Sequence, residues 1–280
     1  MSILAKNHHF TILGLNKFDE YFRDIMSDTN FGFTEYLRSI VAIAIFFLIF
    51  LLFTPVILFL LLISFGKASN FVVEKIAPIM VRPVLWISGI SFDVKMHADK
   101  LTSPAVFIIN HSSTVDVLTL LALGLPKIRF VAKWEFQYNP IFFILGRLTG
   151  QIFIKREKSE KAIQTLKKTH SRIKRNELSV MMAPEGSRKH PGVIGPFKKG
   201  PFRMAMDLGY PIVPIYFEGN RKLSKGGTMI AKSGQVTAHI HEAIAVSNWT
   251  IDNLNDNIRE VRNRYLKWAG IEDDNIRPIS

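Results

Sequence analysis

The 280-residue chain has room for one catalytic-sized domain plus an appendage, and its 48% hydrophobic content can fill a large core. Thirty-six Lys+Arg against 23 Asp+Glu leave a formal charge of +13, which suits polyanionic partners such as lipid headgroups or nucleic acid. Cysteine is absent, which excludes disulfides, thiolate metal sites and cysteine nucleophiles and fits a reduced cytoplasmic setting.

Residues 1–39 hold four basic and five acidic side chains and read as a polar extension, so the basic surplus belongs to residues 40–280. From Ser39 to Gly66 no residue is charged. The run IVAIAIFFLIFLLFTPVILFLLLISF would be roughly 39 Å long as a helix, against a bilayer core of about 30 Å. It starts too late and runs too long for a secretory signal peptide. A buried core helix is the other reading, but soluble helices are rarely apolar on every face. Residues 40–66 are therefore expected in a membrane, either as a tilted span or as a re-entrant hairpin at Pro55, where a missing N–H interrupts the helical ladder. Residues 67–91 mix apolar residues with single charges, Pro78, Pro83 and Trp86. That composition suits an interfacial helical segment and so favours the hairpin; a first core helix of the next domain is the alternative.

Over residues 92–270 short β-like runs alternate with helical ones. SFDVKMH, AVFIIN, IRFVAK, QIFIK, LSVMMA, PIVPIYF and QVTAHIHEAI read as strands. Helices are expected over Val115–Leu123, Pro140–Leu148, Glu157–Arg175, Lys199–Leu208 and Asn253–Trp268, with residues 271–280 as a tail. The alternation implies an α/β domain: a mostly parallel central sheet flanked by helices, with its site where loops leave the carboxyl ends of strands.

Several of those ends carry chemistry. His111 follows the strand AVFIIN, and Asp116 falls in the first turn of the next helix, where the macrodipole favours a negative charge. A carboxylate on one imidazole nitrogen fixes the tautomer and leaves the other as a general base; a helix-start aspartate beside a satisfied turn histidine is the plain alternative. Neither a G-x-S-x-G elbow nor a cysteine is present, so direct deprotonation of a substrate hydroxyl is the simpler chemistry. The strand LSVMMA runs into PEGSRKHPG, which brings Glu185, Gly186, Ser187 and Arg188 into a tight loop. Lys198 and Lys199 precede a helix start suited to an anion, and the strand ends at Lys133 and at Lys155–Arg156 add cations. The sequence HIHEA is no zinc motif, because H-E-x-x-H would need histidine at Ala245; His239 and His241 are expected exposed on one strand face. Trp134, Phe136, Tyr138, Phe142 and Phe143 could line an acyl path or pack in the core.

In order, N-H-x4-D, K-x-E followed by G-x-I-F-I-x-R, P-E-G-S-R, F-K-K-G and a final V-P-I resemble the blocks of the glycerolipid acyltransferases, above all the 1-acyl-sn-glycerol-3-phosphate (lysophosphatidate) acyltransferases. The resemblance covers about residues 75–250. It implies that His111 and Asp116 are catalytic and that Glu185, Gly186, Ser187 and Arg188 bind the acceptor, with Lys133, Arg156 and Lys199 holding its phosphate. Departures are Ser187 where threonine is usual, Ala183 where phenylalanine is usual, and Thr114-Val115 where an aromatic or leucine is common. The implied partners are a lysophospholipid acceptor, an acyl-CoA or acyl carrier protein donor, and membrane lipid at the cytoplasmic face (of the inner or plasma membrane in a bacterium). Neither metal nor bound cofactor is implied, since the acyl carrier is a substrate. Glycerol-3-phosphate or a lyso-aminolipid are alternative acceptors. A membrane-tethered nucleic-acid-binding protein would instead need a basic stripe interleaved with stacking aromatics.

Overall fold

Seven short runs rich in Val, Ile and Phe pair into a single sheet: β1 (Ile90–Met96), β2 (Val106–Ile109), β3 (Ile128–Lys133), β4 (Ile152–Ile154), β5 (Ser179–Met182), β6 (Ile212–Glu218) and β7 (Gly234–Ile240). The computed structural model describes residues 31–271, apart from 139, 155–167, 188–193 and 225–226, and without the side chains of 133, 136–137 and 140–142. Strand order is β1-β7-β6-β2-β5-β3-β4. Every pairing is parallel except β6 with β7. The central strands β2 and β5 are buried along their whole length, as their unbroken apolar runs require of a sheet covered on both faces. The expected mostly parallel α/β domain is what forms. Its last strand stops at Ile240, short of the expected Ile244, which keeps only an isolated bridge to Ile212.

The order places a topological switch at β2. The chain leaves β2 toward β3 on one side, while β5 leads to β6 on the other. Crevices at carboxyl ends open where that happens.

One sheet face is covered by α5 (Gly200–Leu208) and α6 (Leu254–Trp268), with Phe202, Met204, Leu254, Ile258, Val261 and Tyr265 in its core. Residues 168–175 are helical and add Ile173 to the same core. The Tyr265 hydroxyl reaches the sheet itself, 2.8 Å from the Ile108 carbonyl. Full burial pushes that phenol well above its ordinary range and keeps it a neutral donor.

The opposite face is covered by α2 (Ala77–Ile87) and α3 (Asp116–Ala122). Val81 and Leu85 pack against Phe107, Ile109 and Ile215, so α2 is the core helix given as the alternative for this stretch, while Trp86 and Ile79 stay exposed. Outside α2 lies α1 (Phe33–Ile63), 31 residues long and apolar enough to cross a membrane. It begins before the expected 39/40 boundary and passes through Pro55 without reversing, so the hairpin expected there does not form. The chain instead turns at Phe65 (φ 50°) and Gly66 (φ 78°), and the short helical turns Ser69–Phe71 and Val72–Ile76 lead into α2. Near its start α1 meets the domain: Ser39 Oγ accepts the Ala231 amide at 3.1 Å, and Arg38 lies over Gly89. Near its end Ile57 and Leu61 pack against Val72, Ile76 and Met80, with Leu145 and Leu148 of α4 (Pro140–Leu148) beside them. Between those anchors Leu48, Leu51, Leu52 and Phe59 are exposed.

Candidate active site

β2 ends at Ile109, and Asn110 extends its pairing by side chain. Asn110 Nδ2 donates to the Phe217 carbonyl at 3.0 Å, and its Oδ1 accepts the Phe217 amide at 2.7 Å. This pair of bonds holds the chain to β6 where β2 turns away, and it fixes where His111 leaves the sheet. Five residues on, Asp116 opens α3 and its carboxylate folds back over the turn. Asp116 Oδ2 accepts from His111 Nδ1 at 2.9 Å and from the Ser112 and Ser113 amides at 2.8 and 2.9 Å. Its Oδ1 accepts from Asn220 Nδ2 at 2.7 Å. The aspartate is 1% exposed and the His111 side chain 18%. Because an amide hydrogen from each neighbour already reaches Oδ2, that oxygen is a pure acceptor and the imidazole hydrogen sits on Nδ1. Nε2 therefore carries the lone pair.

Glu185, in the turn after β5 as expected, is 5% exposed, and both its carboxylate oxygens accept backbone amides. Its Oε1 accepts the His111 backbone amide at 2.8 Å, and its Oε2 accepts the Gly195 amide at 2.8 Å. The carboxylate ties the His111 peptide to the loop that carries Phe197, Lys198 and Lys199. Gly186 has φ 68°, and a Cβ there would press on the Lys198 side chain, whose Nζ would be 3.0 Å away. Glycine thus lets the Lys198 side chain lie against this turn. Lys199 caps α5 and is exposed, as is Ser187.

β6, β2 and β5 are neighbours, so their ends bring His111, Asp116, Glu185 and Gly186 together, and the Lys198 amide, one residue before Lys199, donates to the Pro184 carbonyl at 2.8 Å. The backbone of Lys133 ends β3, the next strand along. Arg156 and Arg188 lie outside the described residues. Asn220 is the functional candidate that the sequence did not disclose. It is fully buried, it also reaches Thr119 Oγ1 at 3.2 Å, and it follows β6 immediately after Gly219. Gly219 has φ 98°, and any Cβ there would strike the Gln235 carbonyl. The G-N pair after a buried strand was the available signal, but its partner stands 104 residues away.

The histidines of β7 depart from expectation. His97 donates to His239 (2.9 Å) and His239 to Glu218 (3.0 Å), while His241 stacks on Trp268 with ring centroids 3.6 Å apart. His239 and His241 are half-buried, not exposed. Among the described residues no group of three or more His, Asp or Glu could hold a metal.

Residues 93–218 match the family model described as Acyltransferase. A 1-acyl-sn-glycerol-3-phosphate acyltransferase of Limnanthes douglasii is 30% identical over 184 residues, covering 66% of this chain and 65% of that protein. One from Haemophilus influenzae is 34% identical over 157 residues, covering 56% of this chain and 65% of the relative. One from Saccharomyces cerevisiae is 29% identical over 181 residues, 63% and 60% of the two chains. The chain thus spans about two-thirds or less of the length of these relatives. The crystal structure of the 1-acyl-sn-glycerophosphate acyltransferase of Thermotoga maritima superposes with a TM-score of 0.66 at 20% identity, over 86% of this chain and all of that one, and shows the same fold.

Proposed function

We propose, from the match of residues 93–218 to the acyltransferase family model, that the chain moves a fatty acyl group from acyl-CoA or acyl carrier protein to the sn-2 hydroxyl of lysophosphatidate, giving phosphatidate. The observation that carries the reading is the His111–Asp116 contact at 2.9 Å, with the carboxylate held by three further donors. His111 Nε2 takes the hydroxyl proton as the oxygen attacks the thioester carbonyl. An alcohol is far more basic as alkoxide than imidazole, whose ordinary pKa is about 6.5, so proton transfer accompanies attack. Asp116 stabilises the imidazolium. Collapse of the tetrahedral adduct breaks the carbon–sulfur bond, and the imidazolium returns the proton to the departing thiolate. Glu185 holds the His111 peptide in place, and Lys198 and Lys199 lie where an acceptor phosphate would be drawn.

The same reading puts the protein on one side of a membrane. A helix that touches one domain near both its ends lies along that domain, and the exposed flank of α1 then enters a single leaflet. Supply favours the cytoplasmic face, because activated acyl thioesters are made there.

Two measurements test this. Purified protein given labelled acyl-CoA, acyl carrier protein thioesters and a panel of lyso-acceptors should prefer lysophosphatidate, and Lys199→Gln should raise the acceptor KM about tenfold or more with little change for the donor. Preference for glycerol-3-phosphate or a lyso-aminolipid would reassign the acceptor. The lack of cysteine allows single Ser2→Cys and Ser280→Cys labels; reaction of either with an impermeant maleimide in intact cells would refute the one-leaflet, cytoplasmic placement.

A further inference from the structure

At the amino end of the sheet, beneath the turn that joins α1 to α2, two guanidinium groups meet. Arg129, near the start of β3, is 4% exposed. It donates to the Ile128 carbonyl (2.8 Å), Ser69 Oγ (3.1 Å) and Asn70 Oδ1 (2.9 Å), and its Nε is buried without a partner among the described residues. Arg172, from the helical stretch 168–175, is half-buried and donates to the Gly150 carbonyl at 2.9 Å. The two converge over Gly150. A Cβ at that residue would lie 3.1 Å from Arg172 Nη1 and 3.3 Å from Arg129 Nε.

Among the described residues neither arginine has a carboxylate within ion-pair distance. Glu74 acts on Arg129 only from farther off, its Oε1 being bonded to the Lys127 amide at 2.6 Å. Burial first, and Arg172 next, pull the Arg129 guanidinium down to about 10 from its ordinary 12.5. Buried charges are normally paired, and an orphan N–H among them points to a missing anion. The surroundings say which kind. Phe65, at the tip of the adjacent turn, is 92% exposed. Lys67, two residues on, and Arg147 are both exposed and, among the described residues, without ion-pair partners; the Arg147 guanidinium lies over the Phe143 ring, 5.4 Å from its centroid, and the next residue, Leu148, packs on the end of α1. Exposed aromatics and unpaired cations together at the end of a long apolar helix are the pattern of a membrane-surface anchor.

We propose that Arg129 and Arg172, with Lys67 and Arg147 at the rim, form a binding site for the phosphate group of an anionic phospholipid, separate from the His111 site. The two guanidiniums supply convergent N–H donors to phosphate oxygens, and the lipid's acyl chains run along the exposed flank of α1.

Arg172 carries the test, because replacing Arg129 would also cut the bonds to Ser69 and Asn70. The thermal midpoint of the full chain is measured in detergent with and without inorganic phosphate, and vesicle co-sedimentation is measured with phosphatidylcholine alone and with phosphatidylcholine containing phosphatidate. Wild-type protein should gain a few degrees on phosphate addition, or bind phosphatidate vesicles roughly tenfold better than neutral ones. Arg172→Gln should lose that increment and, without any anion, be no less stable than wild type, since a like-charge contact has gone. A phosphate effect lost in the variant shows that the free ion suffices; a vesicle effect alone assigns the site to the lipid headgroup. Equal responses in both proteins, as binding only at the His111 site would give, overturn the proposal. So does a variant that is less stable before any anion is added.

Discussion

The two ends of the central sheet treat buried charge in opposite ways. At the carboxyl end of β2, β5 and β6 the acids are saturated: Asp116 accepts four hydrogen bonds, and Glu185 binds two backbone amides on separate loops. At the amino end the buried bases have no carboxylate within ion-pair distance among the described residues. Arg129 and Arg172 face each other, and His241 has a buried Nε2 without a partner. The first end already has its carboxylates bonded, as the proposed general-base chemistry requires of a preorganised site. The second holds its groups at reduced basicity, the signature of charge that something else must neutralise or that burial keeps uncharged.

If the carboxyl end is the preorganised one, changes there should cost turnover before stability. His111→Ala should lower acyl transfer by about 10³-fold or more while the thermal midpoint hardly moves, because only the base and its one side-chain bond are lost. Asp116→Asn should lower kcat by about 10²–10⁴-fold and also destabilise by about 1–3 kcal/mol. An amide nitrogen would then face donors from His111, Ser112, Ser113 or Asn220. Steady-state kinetics and urea titration on the same preparations check both, and near-normal turnover in folded His111→Ala would end the general-base assignment.

Glu185→Gln comes next. One oxygen is replaced by an NH2 that must face either the His111 or the Gly195 amide, so kcat should fall about 10- to 100-fold. A residue that only bound the acceptor would raise KM and leave kcat alone, which is the outcome that would return Glu185 to the role the sequence implied. Asn220→Ala should have a smaller effect, about tenfold on kcat. It removes one of four donors to Asp116 and leaves the His111 contact standing. Acceptor KM should be unchanged, since Asn220 is fully buried.

These positions divide by what sequence can carry. The strands were readable because each is a short apolar run closed by polar or small residues, and His111 with Asp116 because one turn joins them. The π-to-α path of residues 72–87 against the sheet was not, since Val81 and Leu85 look alike in a lipid interface and in a core. Pro55 suggested a reversal, yet the helix absorbs it, with Thr54 Oγ1 donating to the Phe50 carbonyl at 2.6 Å. The true turn was marked by Gly66, the first glycine after the apolar run and one of two successive residues with positive φ. The Asn220 and Glu185 contacts span 104 and 74 residues, and no local pattern announces a pairing made by the sheet order.

The smallest expected effect probes the amino end through His241. Burial under Trp268 comes first, then the neighbouring His97 and His239, and together they push its imidazole from 6.5 down to about 4. Glu242, Arg264 and Trp268 line the same recess, and Glu218 is engaged by His239. Between pH 6.5 and 4 the unfolded chain binds a proton that the folded chain refuses. The stability due to neutral His241 is therefore complete above pH 6.5 and is lost as pH falls toward 4. A shift of this size on a half-exposed ring, discounted for solvent screening, amounts to about 1–2 kcal/mol. His241→Phe keeps the stack on Trp268 and removes the titration, so its urea midpoint should fall less than that of wild type between about pH 7 and pH 5. Parallel loss in both proteins would mean that His241 protonates as freely in the folded chain as in the unfolded one. The contrast between a saturated carboxyl end and an unpaired amino end would then rest on the two arginines alone.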